Sequence, residues 1–128
     1  MSDEPHRPKL RTIGWVDLTV PDADRIRDFY SAVVGWTTSD VEMGGYSDYC
    51  MHPSEGEPPI AGVCHARGVN AALPRYWLVY LVVPDLDRSL AECRTRGGKV
   101  VVPVRSMGEA RYAVIEDPAG AVAALYRP

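Results

Sequence analysis

The strongest constraint on the fold of this chain is a six-residue segment that occurs twice. Residues 20–25 read Val-Pro-Asp-Ala-Asp-Arg, and residues 83–88, 63 positions later, read Val-Pro-Asp-Leu-Asp-Arg. An apolar segment precedes each copy, the aspartates can cap a following helix, and the same offset carries Gly35 onto Gly98. Self-similarity at a fixed spacing indicates a repeated supersecondary unit. We therefore predict two copies of one unit in this 128-residue chain.

The first unit has the pattern of a strand, a helix and three further strands. Residues 13–20 alternate between apolar and polar side chains, which predicts a strand with one buried face. Five apolar residues follow at helical spacing, and we expect them to form a buried stripe: Ile26, Phe29, Tyr30, Val33 and Val34. Strands are then predicted over residues 37–43, 46–52 and 59–66, with Gly44-Gly45 as the turn of a hairpin.

The second unit repeats this plan after a short linker. Residues 76–83 predict a strand, and Leu86, Leu90 and Cys93 predict the buried stripe of a helix that ends at Gly97-Gly98. Alternation around residues 100–104, then residues 109–116 and 121–127, predicts three more strands. We therefore expect a flexible lead-in over residues 1–11 and one domain over 12–128. Its first module spans residues 12–68 and its second module spans 74–128.

Charge, hydropathy and cysteine content exclude several classes of partner. A net charge of −3 argues against binding to a phosphate backbone, so no nucleic-acid partner is expected. The longest apolar run, residues 77–83, is far shorter than the roughly 18 residues that span a bilayer. The chain has three cysteines, an odd number, and no export signal is visible. We expect reduced thiols and a cytoplasmic location, with no membrane association.

Together these features resemble the vicinal oxygen chelate superfamily, which includes glyoxalases, bleomycin-resistance proteins and extradiol dioxygenases. The resemblance is closest to its metal-poor, glyoxalase-like branch. It rests on the following segments: Phe29-Tyr30 with Gly35-Trp36, Ala61-Gly62, Gly97-Gly98, and Asp117-Pro118-Ala119-Gly120. It implies an α+β fold of two tandem βαβββ modules, in which curved mixed sheets surround a concave cavity and the helices lie outside. It also implies a homodimer.

The same resemblance implies metal-ligand positions on the first strand of each module and on the last strand. This chain has Trp15, Leu78 and Ala124 there, and none of these side chains can bind a divalent ion. We therefore expect no metal site and no cofactor. One alternative is a displaced zinc site at Cys50 and His52, which share a strand face; the other is partly buried thiols beside a loop histidine.

Strand alternation predicts which side chains face the concave side. Asp17 is the single expected charge there, and six residues are predicted to contact a ligand: Trp15, Leu78, Tyr80, Tyr112, Val122 and Ala124. This lining favours a metal-independent protein that binds a small, apolar or aromatic molecule. The alternative is a metal-free enzyme of the lyase, isomerase or oxygenase-like kind. In such an enzyme Asp17 would act as catalytic general acid or base on a carbonyl compound.

A third interpretation gives these residues no role in ligand binding. Trp15 and Tyr80 would then be ordinary packing residues, and the chain would be an interaction module with a collapsed cavity. Asp17 would be exposed, or would pair with an arginine such as Arg111.

Overall fold

The computed structural model describes residues 8–128, so residues 1–7 of the predicted lead-in lie outside the described part. The chain forms two compact units, one of residues 15–78 and one of residues 79–128 with the segment up to Gly14. The helices and strands are as follows: β1 (Ile13–Val20), α1 (Ala23–Val34), β2 (Thr37–Glu42), β3 (Ser47–His52), β4 (Ala61–His65), β5 (Leu78–Val82), α2 (Leu86–Thr95), β6 (Lys99–Met107), β7 (Ala110–Glu116) and β8 (Val122–Arg127). The predicted α+β class, with two βαβββ modules, is confirmed.

The repeated Pro-Asp segment performs the same structural task in both modules. Asp22 caps α1, where its side chain accepts a hydrogen bond from the backbone N–H of Arg25 at 3.2 Å. Asp85 caps α2 in the same way and accepts from the N–H of Arg88 at 3.1 Å. Each cap satisfies a backbone donor that has no partner inside its helix, which stabilises a helix by roughly 1 kcal/mol.

The first sheet packs one face against α1. Strand β1 runs parallel to β4, and β4, β3 and β2 follow in antiparallel order. Leu18 pairs in register with Val63, and Val63 and Met51 are fully buried with Ala23 at the start of the helix. Full burial of such a side chain contributes about 1.5–3 kcal/mol, so these residues form the centre of this core.

The predicted buried stripe of α1 is wrong for three of its five residues. Ile26 and Tyr30 pack against the core, whereas Phe29, Val33 and Val34 are 53%, 65% and 52% exposed. The helix contacts the sheet through Ala23, Ile26 and Tyr30, so the neighbouring apolar stripe points outward. An exposed apolar surface on a helix is a candidate interaction surface.

The first turn of α1 is also tied to the sheet by polar contacts. The Tyr49 hydroxyl on β3 donates a hydrogen bond to Asp24, and His65 Nε2 on β4 lies 3.6 Å from the same carboxylate. On its other side His65 donates its backbone N–H to Asp48 at 2.8 Å. The Arg27 guanidinium covers the Tyr49 ring at 4.5 Å. These contacts fix the position of the helix relative to β3 and β4.

The hydrogen bond between Tyr49 and Asp24 makes the free energy of unfolding depend on pH in the alkaline range. The hydrogen bond to Asp24, together with burial, raises the pKa of Tyr49 to about 12. Because the folded-state pKa lies above the unfolded value near 10, this stabilisation is complete below pH 10 and is lost between about pH 10 and 12. We expect the free energy of unfolding of wild type to approach that of Tyr49→Phe over this window, as measured by urea denaturation. If the free energies of unfolding of wild type and Tyr49→Phe differ by a constant amount up to pH 12, this assignment is wrong.

The second sheet follows the same plan. Strand β5 runs parallel to β8, and β8, β7 and β6 follow in antiparallel order. Leu86 and Leu90 of α2 pack on Ala113 and Leu125. Arg11 donates its backbone N–H to the carbonyl of Val82 at 2.7 Å. No helix within residues 8–128 is both long and apolar enough to cross a bilayer.

Candidate functional site

Trp15 and Asp17 lie on the face of the first sheet that points away from α1. Their neighbour Leu18 pairs with Val63 of the α1 core, and successive strand residues point to opposite faces. Asp17 pairs in register with Gly62 on β4, and Gly62 pairs with Cys50 on β3. We call the surface formed by Trp15, Asp17, Gly62, Cys50 and Cys64 the helix-free face.

A hydrogen bond joins the two functional candidates on this face. The Trp15 indole Nε1–H donates to Asp17 Oδ1, and both residues are half-buried. Indole nitrogen is a donor only, so this bond fixes the ring and the carboxylate in one mutual orientation. The predicted stacking residue and the predicted acid are therefore one structural unit.

Gly62 provides the space in which this pair lies. A Cβ atom at position 62 would overlap Asp17 Oδ1 and would approach Trp15 Nε1 to 3.4 Å. The carboxylate therefore lies across strand β4, directly over the glycine. Glycine inside a strand often marks such a close approach, and this was the sequence signal that could have identified Gly62.

Two thiols also lie on the helix-free face. Burial, reinforced by the negative charge of Asp17, raises the pKa of Cys64 and of Cys50 above the ordinary thiol value. The charge of Asp48 and a hydrogen bond to it raise the pKa of Cys64 further, so Asp17 is not the single charge that the sequence predicts for this face. Both thiols are therefore protonated at neutral pH, and neither is a ready thiolate nucleophile. All three cysteines, including Cys93, are free.

The alternative zinc site at Cys50 and His52 is not supported by the contacts of the histidine. His52 Nδ1 lies 2.7 Å from the carbonyl oxygen of Glu57, and its Nε2 lies 2.7 Å from the Ser39 hydroxyl. A metal ion would have to displace one of these partners. Within residues 8–128, no three His, Cys, Asp or Glu side chains are placed to hold one ion.

The positions where the resemblance implies metal ligands do not fit a metal ion. Trp15 presents an N–H that donates to Asp17, and Leu78 and Ala124 are buried aliphatic residues without a donor atom. The arrangement around Trp15 therefore suits ring stacking and a single carboxylate contact.

The second sheet holds four of the predicted ligand contacts on its own face away from α2. Tyr80 pairs in register with Ala124, and its ring centroid lies 6.5 Å from that of Tyr112. Val122 has the same strand parity as Ala124, whereas Leu125 belongs to the α2 core. Tyr80, Tyr112 and Ala124 are buried. The structure thus brings together Tyr80, Tyr112 and Ala124; their role in ligand binding stays a prediction.

Two further contacts concern residues that the sequence analysis considered. Arg111, the arginine considered as a partner of Asp17, has its guanidinium 4.0 Å from Asp87. Trp77, which lies one residue from the predicted ligand position 78, packs its ring against Tyr30 and Trp36. Trp77 also donates its indole N–H to the Tyr30 hydroxyl at 3.3 Å, so it belongs to an aromatic cluster beside α1.

Comparison with known proteins identifies the family. The profile of the Glyoxalase/Bleomycin resistance protein/Dioxygenase superfamily matches residues 12–125. The chain belongs to this superfamily. The predicted membership is confirmed, and the two βαβββ modules are the expected fold.

Curated relatives in the superfamily are longer than this chain. The protein named "Putative glyoxylase CFP32" of Mycobacterium tuberculosis is 32% identical over 127 residues, which cover 96% of this chain and 49% of the relative. "Anthracycline biosynthesis protein DnrV" of Streptomyces peucetius is 32% identical over 126 residues, which cover 89% of this chain and 46% of the relative. The chain therefore spans about half the length of these relatives.

Solved structures of the superfamily share the fold. A variant of methylmalonyl-CoA epimerase from Streptomyces coelicolor, in complex with 2-nitronate-propionyl-CoA, matches with a TM-score of 0.59 and 19% identity, over 93% of this chain and 95% of that one. The methylmalonyl-CoA epimerase of Mycobacterium tuberculosis matches with a TM-score of 0.55 and 19% identity, over 89% and 85%. At this identity the likeness concerns the fold.

Proposed function

We propose that this protein is a metal-independent member of the superfamily that binds a small, apolar or aromatic molecule against Trp15. The observation that carries the proposal is the hydrogen bond from the Trp15 indole to Asp17. An aromatic ring whose orientation is already fixed loses little conformational freedom when a ligand stacks on it. Superfamily members bind small molecules, and this pair offers one stacking surface with one charge beside it.

The surroundings of Trp15 favour a flat, mostly apolar ligand. Gly62 contributes no side chain, and the thiols of Cys50 and Cys64 are protonated. The negative charge of this face comes from Asp17 and from Asp48, which is hydrogen-bonded to Cys64. Ligand sites are commonly apolar with a few placed polar groups. Two relatives are named for anthracycline biosynthesis. We therefore choose a flat, polycyclic and cationic probe, the anthracycline doxorubicin.

Equilibrium titration tests the proposal. The intrinsic fluorescence of doxorubicin should change saturably as protein is added, with one molecule bound per chain. A titration without saturation, or one that is equally strong with heat-denatured protein, would contradict specific binding at a folded site.

An enzymatic alternative uses the same pair. The Trp15 indole holds Asp17 Oδ1 in one orientation, and an oriented carboxylate is what a general base requires. In this alternative Asp17 removes a proton from the carbon next to the carbonyl group of a bound ketone and later returns it. We keep this as the second candidate function.

Deuterium exchange separates the two candidates. If Asp17 is a base, wild type in D₂O should accelerate exchange at the carbon next to the side-chain ketone of bound doxorubicin, as followed by NMR. Asp17→Asn should then lower the exchange rate by roughly 10²- to 10⁴-fold while still binding the probe. Equal exchange rates in the two proteins would leave ligand binding alone as the function.

We also propose a homodimer in the cytoplasm. Superfamily members often dimerise, the outer stripe of Phe29, Val33 and Val34 is exposed, and the curated relatives contain about twice this chain length. A second copy would cover the stripe and supply an equal length of chain. Three free thiols suit a reducing compartment.

Light scattering tests the dimer. Wild type should have the mass of two chains at micromolar concentration, and Val33→Lys should shift it toward one chain by placing a charge in the apolar contact. The matched control, Ser54→Lys in an exposed loop, should remain dimeric. A wild-type monomer would contradict the proposal, and so would a Val33→Lys dimer of unchanged affinity.

A further inference from the structure

A groove that the proposed function does not use runs along α2 in the second unit. Its volume is about 610 Å³, and Pro84, Ile115, Pro118 and Leu125 form its apolar floor. On the helix side its lining extends from Asp85 to Arg96, a distance of about 16 Å at 1.5 Å per residue. None of the described residues that line it is aromatic. An elongated aliphatic floor favours an extended hydrocarbon over a flat ring.

The acidic residues of the groove already have partners. Asp85 Oδ1 accepts a hydrogen bond from the backbone N–H of Arg88 at 3.1 Å, and Glu92 forms an ion pair with Arg96 at 2.9 Å. Asp117 Oδ1 accepts from the backbone N–H groups of residues 119 and 121 at 2.8 and 3.0 Å. The Glu92 carboxylate therefore has its charge balanced by Arg96, whereas Asp85 and Asp117 are oriented by backbone donors and keep their negative charge.

Two arginines of the groove can bind an anionic head group. Within residues 8–128, neither the Arg11 nor the Arg88 guanidinium forms an ion pair. Arg11 is hydrogen-bonded through its backbone to Val82, two residues before Pro84, and Arg88 lies in the first turn of α2. Both therefore line the same end of the groove. Guanidinium groups bind carboxylates through paired, charge-assisted hydrogen bonds.

We propose that the α2 groove binds an amphiphilic carboxylate of the fatty-acid class. Its carboxylate contacts Arg88 and Arg11, and its aliphatic chain lies over Leu125 and Ile115 toward Pro118. The described lining holds three arginines and three carboxylates, but at the end where Arg11 and Arg88 lie it holds one carboxylate, Asp85. That end therefore has an excess positive charge, which complements the head group. The apolar floor complements the chain, at about 25 cal/mol per Å² of apolar surface buried. The groove shares no described lining residue with the Trp15 face, and the proposal does not depend on the function proposed there.

Calorimetric titration with decanoate, and with the uncharged alcohol decanol, tests the head-group contact. We expect saturable binding of decanoate to wild type and at least tenfold weaker binding of decanol. Arg88→Gln should weaken decanoate binding roughly tenfold or more, as expected for loss of a charge-assisted hydrogen bond. The control Arg94→Gln removes an equal charge from the same helix at a position outside the groove lining, and its affinity should match wild type.

Cys93 provides a second, independent measurement, because it lines the groove. Decanoate should slow alkylation of Cys93 by the uncharged reagent iodoacetamide, as quantified by mass spectrometry of the peptide. The same decanoate concentration should protect Cys93 less in Arg88→Gln.

Several results would overturn the assignment. One is an equal affinity of wild type for decanoate and decanol. Another is an equal loss of decanoate affinity in Arg88→Gln and Arg94→Gln. A third is unchanged alkylation of Cys93 at saturating decanoate. Loss of decanoate binding in Trp15→Leu with retention in Arg88→Gln would place the amphiphile on the helix-free face instead. Failure of doxorubicin to bind bears only on the Trp15 proposal.

Discussion

Replacing Trp15 by leucine is expected to weaken doxorubicin binding by roughly 2- to 12-fold through loss of stacking alone. This range corresponds to the ~0.5–1.5 kcal/mol that an aromatic contact contributes beyond buried area. The indole is also the hydrogen-bond donor to Asp17, so the variant leaves a half-buried carboxylate without that donor. We therefore also expect the free energy of unfolding of the variant to be about 1 kcal/mol lower than that of wild type. Titration of the probe and urea denaturation measure the two effects separately.

The variant Trp15→Phe separates stacking from anchoring. Phenylalanine retains a ring but has no N–H, so it should lose the contact with Asp17 and keep more of the affinity than leucine does. If Trp15→Leu binds the probe as tightly as wild type while its stability falls, Trp15 is a packing residue and the proposed function is wrong.

Gly98→Ala is expected to have the largest effect on stability. A Cβ atom at position 98 would lie 2.6 Å from Cys93 Sγ, 3.0 Å from the Glu116 carbonyl oxygen and 3.1 Å from the Cys93 carbonyl oxygen. Overpacking of this kind costs about 1–3 kcal/mol, which corresponds to a decrease in Tm of roughly 4–12 °C. Calorimetry of the purified variant measures the change.

The double variant Gly98→Ala with Cys93→Ala identifies the cause. Removing the sulfur relieves one of the three close contacts, whereas both carbonyl contacts belong to the backbone and remain. We expect a partial recovery of Tm relative to Gly98→Ala. A full recovery of Tm in the double variant would assign the whole effect to the Cys93 sulfur. An unchanged Tm in Gly98→Ala would contradict the prediction, because the backbone around Gly98 would then have moved to make room for the methyl group.

The repeated segment explains why so much of the fold was predictable. Capping by Asp22 and Asp85 depends on neighbouring residues only, and each cap fixes where a helix begins. Strand alternation then determines which residues share a face. The buried face of α1 was not predictable in the same way. Apolar residues cover two adjoining stripes of this helix, so Phe29 and Val33 satisfy the helical spacing as well as Ile26 and Tyr30 do.

The residues of the candidate site could be predicted from the sequence, but the contacts between them could not. Alternation placed Trp15 and Asp17 on one face, since they are two residues apart in a strand. The hydrogen bond between them depends on side-chain rotamers, which the sequence pattern does not determine. The position of Gly62 beneath Asp17 depends on the register of β1 against β4, two strands joined through α1, β2 and β3. Such long-range pairing has no local sequence signal.

The three tryptophans allow the most direct test of the central claim, that an aromatic ligand binds against Trp15. Trp15 lies on the helix-free face, whereas Trp36 and Trp77 pack together in the aromatic cluster beside α1. In protein labelled with ¹⁵N-tryptophan, addition of doxorubicin should shift the indole N–H resonance of Trp15 and leave those of Trp36 and Trp77 nearly unchanged. Assignment by single Trp→Phe variants identifies each resonance. A saturating titration that shifts only Trp36 and Trp77, or that shifts no indole resonance, would contradict binding at Trp15.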